Sequence, residues 1–202
     1  FGEYLNQYQT NETQTITVII ENVAENSNIT VTVVFEHDDI IIAEFEETTT
    51  TTTNTNFTTD FSFNPVTDLP NLPEGQIDYT ITVTDTFGNS DISNGFFIHD
   101  VTAEITNITF VGNYLNSITD NNDQTVTITL NGIDDNQTVD ISLNDISYNG
   151  IVSGNSCNID IPSNDLQNLP LGNNTIYVYV SDLAGNTDIS DVSFNYDVSA
   201  EI

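Results

Sequence analysis

The chain has 202 residues, with no Lys or Arg against 31 Asp and Glu, so its formal net charge is −31. Because nucleic acids and anionic membrane surfaces are bound through basic side chains, this composition argues against both as partners. The hydrophobic fraction of 37% suffices for small packed cores, and no apolar run is long enough to insert into a membrane. Since ion pairs with Lys or Arg cannot form, the carboxylates must be neutralised by cations or kept apart.

Short runs rich in Ile, Val, Thr, Tyr and Phe alternate with polar turn clusters, and no long stretch has the apolar period of a helix. In the first half, these runs predict strands at residues 16–20, 29–35, 40–45, 57–63, 79–84 and 95–98. In the second half, they predict strands at residues 105–111, 125–130, 139–143, 146–152, 157–161, 176–181 and 189–195. The pattern indicates an all-β fold of the β-sandwich type.

The two halves of the sequence repeat one another. Residues 1–6 match residues 111–116, and further along residues 85–93 match residues 182–190. Self-similarity of this kind predicts two copies of one module. The predicted modules are residues 1–99 and residues 100–196.

The separation between matching residues is shorter later in the chain than at its start. The first module must therefore contain an insertion, which we place at about residues 46–59. This segment contains a run of Thr, and we expect an extended loop or hairpin tip there. The last residues, 197–202, read Asp-Val-Ser-Ala-Glu-Ile and repeat Asp-Val-Thr-Ala-Glu-Ile at 100–105. We therefore interpret 197–202 as the opening strand of a following module or as a donor strand, and the first module as lacking its own opening strand.

Both modules carry a strand, then a turn of the form Asp-x-x-Gly-Asn, then another strand. In the first module the strand is Tyr-Thr-Ile-Thr-Val-Thr at residues 79–84. On these features the chain resembles the tandem bacterial-type immunoglobulin-like repeats of large cell-surface adhesins. The resemblance implies two tandem immunoglobulin-like β-sandwich modules in an extracellular, cell-surface protein. Members of this family are passive spacers or ligand-binding tips, and many are stiffened by calcium. The resemblance therefore implies one of these functions for the chain.

Oxygen-bearing side chains are expected to gather at the junction between modules. In an immunoglobulin topology the Asp-x-x-Gly-Asn turn, the loop after the second strand of the sandwich and the linker between modules lie at the same end. Ca²⁺ takes about six to eight hard oxygen ligands and tolerates irregular shells, so we predict Ca²⁺ at this junction, with solvated turns as the alternative. The candidate ligands are Asp182, Asn186, Asp188, Asp134, Asp135, Asp100 and Glu104, and in the first module Asp85, Asn89 and Asp91.

Other residues that could carry chemistry receive plainer interpretations. Cys157 is the single cysteine, which excludes an intrachain disulfide, and it is predicted to be a small buried strand residue. We interpret His37 as a solvated turn residue and His99 as a packing residue. Sequons for N-glycosylation occur as often as chance predicts for a chain this rich in Asn, Ser and Thr. They are at Asn11, Asn28, Asn56, Asn107, Asn136 and Asn173.

The sequence carries no nucleophile motif, no phosphate-binding loop and no Cys–His pair, and both modules share the same loops. It therefore predicts a non-enzymatic segment of an extracellular surface fibre or adhesin stalk, whose partners are neighbouring copies of the same module or chain. One alternative is a ligand-binding adhesin module that contacts a surface glycan or protein receptor through the Thr-rich insertion. Another alternative is a filament subunit assembled by donor-strand exchange.

Overall fold

The structure is a computed structural model that describes residues 3–21, 26–50, 57–69 and 71–199. The chain divides into two compact units, Phe1–Val101 and Thr102–Ile202, which we call unit 1 and unit 2. Each unit consists of two β-sheets that enclose one hydrophobic core. The predicted all-β, immunoglobulin-like fold is confirmed.

The strands of unit 1 are β1 (Tyr4–Leu5), β2 (Gln14–Ile20), β3 (Asn28–His37), β4 (Ile40–Thr50), β5 (Phe57–Phe63), β6 (Gly75–Asp85) and β7 (Ser90–His99). A five-stranded sheet has the order β1-β7-β6-β3-β4, and β2 pairs with β5 in a second sheet. One helical turn, α1 (Pro65–Asp68), follows β5. The Asn64 side chain caps it by accepting from the backbone N–H groups of Val66 and Thr67 at 3.0 and 3.3 Å.

The strands of unit 2 are β8 (Glu104–Thr109), β9 (Tyr114–Leu115), β10 (Gln124–Asn131), β11 (Thr138–Leu143), β12 (Ile146–Ile151), β13 (Ser156–Ile161), β14 (Gly172–Ser181) and β15 (Thr187–Tyr196). A five-stranded sheet has the order β12-β11-β14-β15-β9, and a three-stranded sheet has the order β13-β10-β8. A short 3-10 turn, Thr119–Asn121, precedes β10, and the helical turn α2 (Ser163–Leu166) follows β13.

The two units share one strand order, with β8 as the difference between their described parts. A two-residue strand pairs in parallel with the last strand of each unit, as β1 with β7 and β9 with β15. This pairing sets Leu5 opposite His99 in unit 1 and Leu115 opposite Tyr196 in unit 2. The correspondence lets each position of one unit be compared with its counterpart in the other.

Alternation along the strands builds each core. In β2, Ile16, Val18 and Ile20 are buried while the residues between them are exposed, because successive side chains of a strand point to opposite faces of a sheet. Burying one aliphatic side chain of this size contributes about 1.5–3 kcal/mol. Aromatic rings fill the centre of unit 1, where the ring centroids of Phe35 and Phe63 lie 4.9 Å apart.

The single cysteine belongs to the core of unit 2, which confirms its prediction as a buried strand residue. Cys157 is 1% exposed, and burial raises the pKa of its thiol. A Cβ atom placed on Gly150 of β12 would lie 2.5 Å from the Cys157 sulfur. Gly150 therefore makes the room that the thiol occupies.

The Thr-rich insertion is a strand over much of its length, so its prediction as a loop is wrong there. β4 continues to Thr50, and Thr48 and Thr50 pair with Thr30 and Asn28 of β3. The Thr50 hydroxyl donates to Asn28 Oδ1 at 2.7 Å. Because Thr is β-branched, a Thr run beside a long strand extends the sheet. Residues 51–56 lie outside the described residues.

Several short elements differ from the sequence-based prediction. The strands β1 and β9 and the helical turns α1 and α2 were not predicted, because elements of two to four residues show no period. β7 begins at Ser90 instead of residue 95. His37 ends β3 and is not in a turn, and its Nδ1 lies 3.0 Å from the backbone oxygen of Gln76.

Candidate functional site

The turn between β14 and β15 is closed by its own side chains. Asp182 Oδ1 accepts the backbone N–H of Asn186 at 2.8 Å, and Oδ2 accepts the Asn186 side-chain amide at 2.7 Å. Gly185 has a φ of 89°, which glycine adopts without steric cost. Asp182 is 6% exposed and Asn186 is fully buried. In unit 2, the Asp-x-x-Gly-Asn motif is thus a structural turn whose carboxylate is already hydrogen-bonded.

The matching turn of unit 1 has the same bonds but a different environment. Asp85 Oδ1 accepts the backbone N–H groups of Phe87 and Asn89, both at 2.9 Å, and Oδ2 accepts the Asn89 side-chain amide at 2.8 Å. The side-chain bond from Asn89 lowers the pKa of Asp85, and the backbone bonds add to that effect. Asp85 is partly exposed and Asn89 is exposed.

Asp188, a further predicted ligand, ties β15 to β8. Its Oδ1 accepts the backbone N–H of Ile189 and its Oδ2 accepts the backbone N–H of Ile105, both at 2.8 Å. Backbone N–H donors to a carboxylate make charge-assisted bonds, which are stronger than neutral ones. Asp188 therefore fixes the start of β8 against the last strand of unit 2.

The other candidate ligands of unit 2 are more accessible. Asp134, Asp135 and Glu104 are exposed. Asp135 Oδ1 accepts the backbone N–H of Gly154 at 2.8 Å, and Glu104 Oε2 lies 3.4 Å from the side-chain amide of Asn131. Asp135 and Glu104 therefore bond to different neutral donors.

The predicted ligands do not form one cluster. In the parts of the chain that the structure describes, no three Asp, Glu, His or Cys side chains are grouped so that they could hold a metal ion. In unit 1, the backbone N–H of Asp100 donates to the backbone oxygen of Leu5 at 3.1 Å, and Asp91 Oδ1 accepts from Ile92 N–H at 3.0 Å. The geometry argues against Asp182 and Asn186 as ligands, and calcium at the exposed acids stays a prediction.

A buried polar pair in unit 2 was not predicted from the sequence. The Tyr196 hydroxyl donates to Asp120 Oδ2 at 2.7 Å, and both residues are 5% exposed. Burial, together with Asp120, raises the pKa of Tyr196 to about 12. A similar bond joins Tyr148 to Asp165 at 2.9 Å. The residues of each pair are far apart in sequence, so no local pattern points to the contact.

His99 takes the place of Tyr196 in unit 1 and is buried, as its interpretation as a packing residue predicts. Its Nδ1 lies 2.8 Å from the backbone oxygen of Pro73, while its buried Nε2 has no hydrogen-bond partner among the described residues. A ring nitrogen this close to a carbonyl oxygen carries a proton, so Nδ1 donates to Pro73.

The sequons that lie in described residues are all accessible. Their asparagines are exposed at Asn11, Asn28, Asn107, Asn136 and Asn173. Asn107 is exposed although it lies in β8, so that face of the strand is solvated. Asn56 lies outside the described residues. Glycosylation stays a prediction.

Comparison with solved structures finds adhesin domains. A structure of a 1.5-MDa bacterial ice-binding adhesin, concerned with its retention on the host cell surface, matches 98% of this chain at 18% identity with a TM-score of 0.52. The chain has the fold of adhesin immunoglobulin-like repeats. The resemblance inferred from the sequence is therefore confirmed at the level of the fold.

Two further structures match most of the chain. A Ca²⁺-stabilised adhesin with which an Antarctic bacterium reaches out and binds ice matches 98% at 21% identity, with a TM-score of 0.49. A tetra-tandem repeat from the extending region of a large adhesion protein matches 92% at 19% identity, with a TM-score of 0.38. The chain spans 62%, 47% and 50% of these three structures. No protein-family model and no curated protein matches the sequence.

In the described ranges, no helix has the length and apolar character that crossing a membrane requires.

The Asp182 turn offers a paired test of burial. Asp182→Ala removes the carboxylate that accepts from both the backbone N–H and the side-chain amide of the buried Asn186, so we expect unit 2 to lose about 2–3 kcal/mol of its free energy of unfolding. Asp85→Ala makes the same change in the more exposed turn, and we expect a clearly smaller loss in unit 1. Urea unfolding, followed through NMR signals assigned to each unit, measures both. Equal losses of unfolding free energy in the two units would contradict the role of burial in strengthening the turn.

Tyr196 gives a pH-dependent prediction. Its folded-state pKa of about 12 lies above its ordinary value of 10.0, so its contribution to stability is full below pH 10 and is lost as the pH rises to 12. Tyr196→Phe should cost about 1–3 kcal/mol at pH 8, since Asp120 loses a donor. The difference in the free energy of unfolding between the wild type and this variant, which we call the gap, should narrow from pH 10 to pH 12.

Chemical denaturation across this pH range measures the gap, and Tyr177→Phe is the matched control because Tyr177 is 56% exposed. A gap that is constant from pH 8 to pH 12 would refute the assignment of the high pKa to Tyr196.

Proposed function

We propose that the chain is a non-enzymatic structural segment of an adhesin-type protein on the outside of a cell, where its modules act as spacers. The observation that carries the proposal is the repetition of one sandwich with the same turns in the same order. Enzymes concentrate their chemistry in a single cleft, whereas a spacer gains reach from every added copy. The likeness to adhesin repeats supports the same function.

The turns support a spacer because they stabilise themselves. In both units, the carboxylate at the start of the last turn accepts hydrogen bonds from its own turn, at 2.7–2.8 Å in unit 2 and 2.8–2.9 Å in unit 1. Turns that are satisfied internally need no ligand to hold their shape. A module of this kind folds the same way wherever it is repeated.

The composition supports a location outside the cell. Proteases that cleave after Lys or Arg find no site in a chain that has neither. A net charge of −31 keeps neighbouring copies apart and in solution, since like charges repel. Both properties suit a segment that is exposed to the surroundings of the cell.

Reach at a cell surface tests the spacer function. We expect that one, two and three copies of the chain, inserted between a surface anchor and a reporter binding domain, move the reporter stepwise further from the cell. Super-resolution imaging of the reporter against the membrane measures the distance. A flexible Gly-Ser linker of equal residue number is the control, and its distance should grow less per copy because a random coil grows only with the square root of its length.

Equal distances for one and three copies would contradict the spacer function. Specific binding of the chain itself to a glycan or protein receptor would favour the ligand-binding alternative. Replacing the exposed residues Thr48 and Thr50 with Ser would then test whether the Thr-rich insertion makes the contact, since it keeps the part of β4 that pairs with β3.

Calcium belongs to the same proposal as a stabilising ligand of the exposed acids. Asp134, Asp135 and Glu104 are exposed carboxylates in a chain without Lys or Arg, and hard oxygen donors of this type suit Ca²⁺. Binding to the folded state alone raises stability by mass action. We therefore expect millimolar Ca²⁺ to raise the melting temperature of unit 2 above its value in EDTA.

Differential scanning calorimetry measures this shift, with NaCl at matched ionic strength as the control for screening. A variant with Asp134→Asn and Asp135→Asn should show a smaller Ca²⁺ shift with its melting temperature in EDTA almost unchanged. A melting temperature that is the same in Ca²⁺, EDTA and matched NaCl would remove calcium from the proposal.

A further inference from the structure

The outer face of the five-stranded sheet of unit 2 carries two exposed tyrosines. Ile176, Val178 and Val180 of β14 are fully buried. The side chains between them, Tyr177 and Tyr179, therefore point away from the core, and they are 56% and 43% exposed. Two residues along a strand span about 7 Å, so the two side chains leave the strand about that far apart on one surface.

A carboxylate lies beside each tyrosine. Asp191 of β15 is opposite Tyr177, and Asp140 of β11 is opposite Tyr179. Side chains that are opposite one another on neighbouring strands have Cβ atoms about 4.5–5.5 Å apart. Both acids are exposed, and neither carboxylate accepts a hydrogen bond from any described residue. We call these four residues the tyrosine face.

Two recesses open beside the tyrosines. One, of about 140 Å³, is lined by both tyrosines and by Asp140. The other, of about 440 Å³, is lined by Tyr177 and by Asp145, an exposed residue between β11 and β12. A side chain that enters either recess therefore meets an aromatic ring and a carboxylate together.

Unit 1 has a neutral surface without aromatic rings at the matching positions. Thr80 and Thr82 of β6 take the places of the two tyrosines, and Asn94 and Thr32 take the places of the two acids. The Thr80 hydroxyl donates to Asn94 Oδ1 at 3.0 Å, so this surface satisfies some of its own polar groups. Because the same strands pair in both units, the fold does not require the tyrosines and acids of unit 2.

The chemistry of the tyrosine face selects a cation. An aromatic ring attracts an ammonium or guanidinium group over its face, and a carboxylate adds a charge-assisted hydrogen bond. An apolar partner would bury the carboxylates without donors, which costs free energy. An anionic partner, including a second copy of the chain, would be repelled by the net charge of −31. The cation must come from another protein, because this sequence has no Lys or Arg.

We infer that the tyrosine face is a docking site for an extended segment of another protein that carries Arg or Lys at alternate positions. Alternate side chains of an extended segment point to the same side about 7 Å apart, which is the spacing of the two tyrosines. Each basic side chain then contacts one ring and one carboxylate. The contact adds a docking site to the spacer function and does not depend on it, because it uses one face of unit 2 alone.

A synthetic peptide tests the inference on the full chain. The probe is Gly-Ser-Arg-Ser-Arg-Ser-Gly with a fluorophore at its N-terminus, titrated with the 202-residue protein at low ionic strength. We expect saturable binding. We also expect NMR shifts at the rings of Tyr177 and Tyr179, with none at Thr80 and Thr82 of unit 1.

A second peptide controls for general attraction to an acidic protein. Gly-Ser-Ser-Arg-Arg-Ser-Gly has the same composition and charge, but its adjacent arginines point to opposite sides of an extended chain. Only one arginine can then reach the tyrosine face. We expect its affinity to be about fivefold lower, as for the loss of one cation–π contact.

Variants of the tyrosines test the contribution of the rings. Tyr177→Thr combined with Tyr179→Thr gives unit 2 the residues of unit 1. We expect the affinity for the probe to fall about tenfold, because two cation–π contacts are lost. Tyr177→Phe combined with Tyr179→Phe keeps both rings and should keep most of the affinity. Melting temperatures measured without peptide check that each variant is folded.

A charge-matched pair of variants tests the carboxylates. Asp140→Asn combined with Asp191→Asn removes two charges from the tyrosine face, and we expect the affinity to fall about tenfold. Glu44→Gln combined with Glu46→Gln removes two charges from alternate exposed positions of β4, in the matching sheet of unit 1. That second variant should bind the probe as the wild type does.

Equal affinity for the two peptides, or equal effects of the two charge-removing variants, would show general attraction to an acidic protein and would overturn the inference. It would also be overturned if binding did not saturate at millimolar probe. Tighter binding of cellohexaose, a neutral glycan, to the same tyrosines would overturn it in favour of a carbohydrate. None of these outcomes bears on the spacer function, because the distance between an anchor and a reporter does not involve the tyrosine face.

Discussion

Because the sequence has no Lys or Arg, every carboxylate must find a neutral hydrogen-bond donor or remain in solvent, and the turns depend on this constraint. Backbone N–H groups and Asn side chains take the part that basic residues take elsewhere. Asp182 accepts twice from Asn186, and Asp188 accepts from two backbone N–H groups. A carboxylate bonded in this way fixes the path of the chain, since several donors converge on one short side chain. The negatively charged carboxylates thus stabilise the turns of the fold through these hydrogen bonds.

The repetition lets one unit serve as a control for the other. The Asp85 and Asp182 turns have the same internal bonds, yet one is partly exposed and the other is buried. The difference in burial follows the presence of β8, so packing against another strand, and not local sequence, sets the environment of the turn. A sequence match between repeats therefore predicts a shared conformation more securely than a shared chemical role. Calcium ligation is such a role, and the predicted ligands that both units share, the Asp and Asn of the turn, are already hydrogen-bonded to each other.

Sequence reasoning predicted the sheets well because alternation is a local signal, as along Ile16, Val18 and Ile20. It missed β1 and β9, since two residues cannot show a period, and it took part of β4 for a loop because a Thr run resembles low complexity. The Tyr196–Asp120 bond joins residues 76 positions apart, and nothing local in the sequence indicates such a contact. The convergence of acids was predicted from topology alone, which does not say which oxygens already have donors.

The buried thiol of Cys157 is a built-in reporter of unfolding under force. A thiol reagent attacks the thiolate, and the folded unit both hides the sulfur and keeps it protonated. When β12 and β13, which belong to the two facing sheets of unit 2, separate, the sulfur becomes accessible. Because the sequence has one Cys, the extent of labelling in a stretched or sheared sample counts the openings of unit 2 and of no other part of the chain.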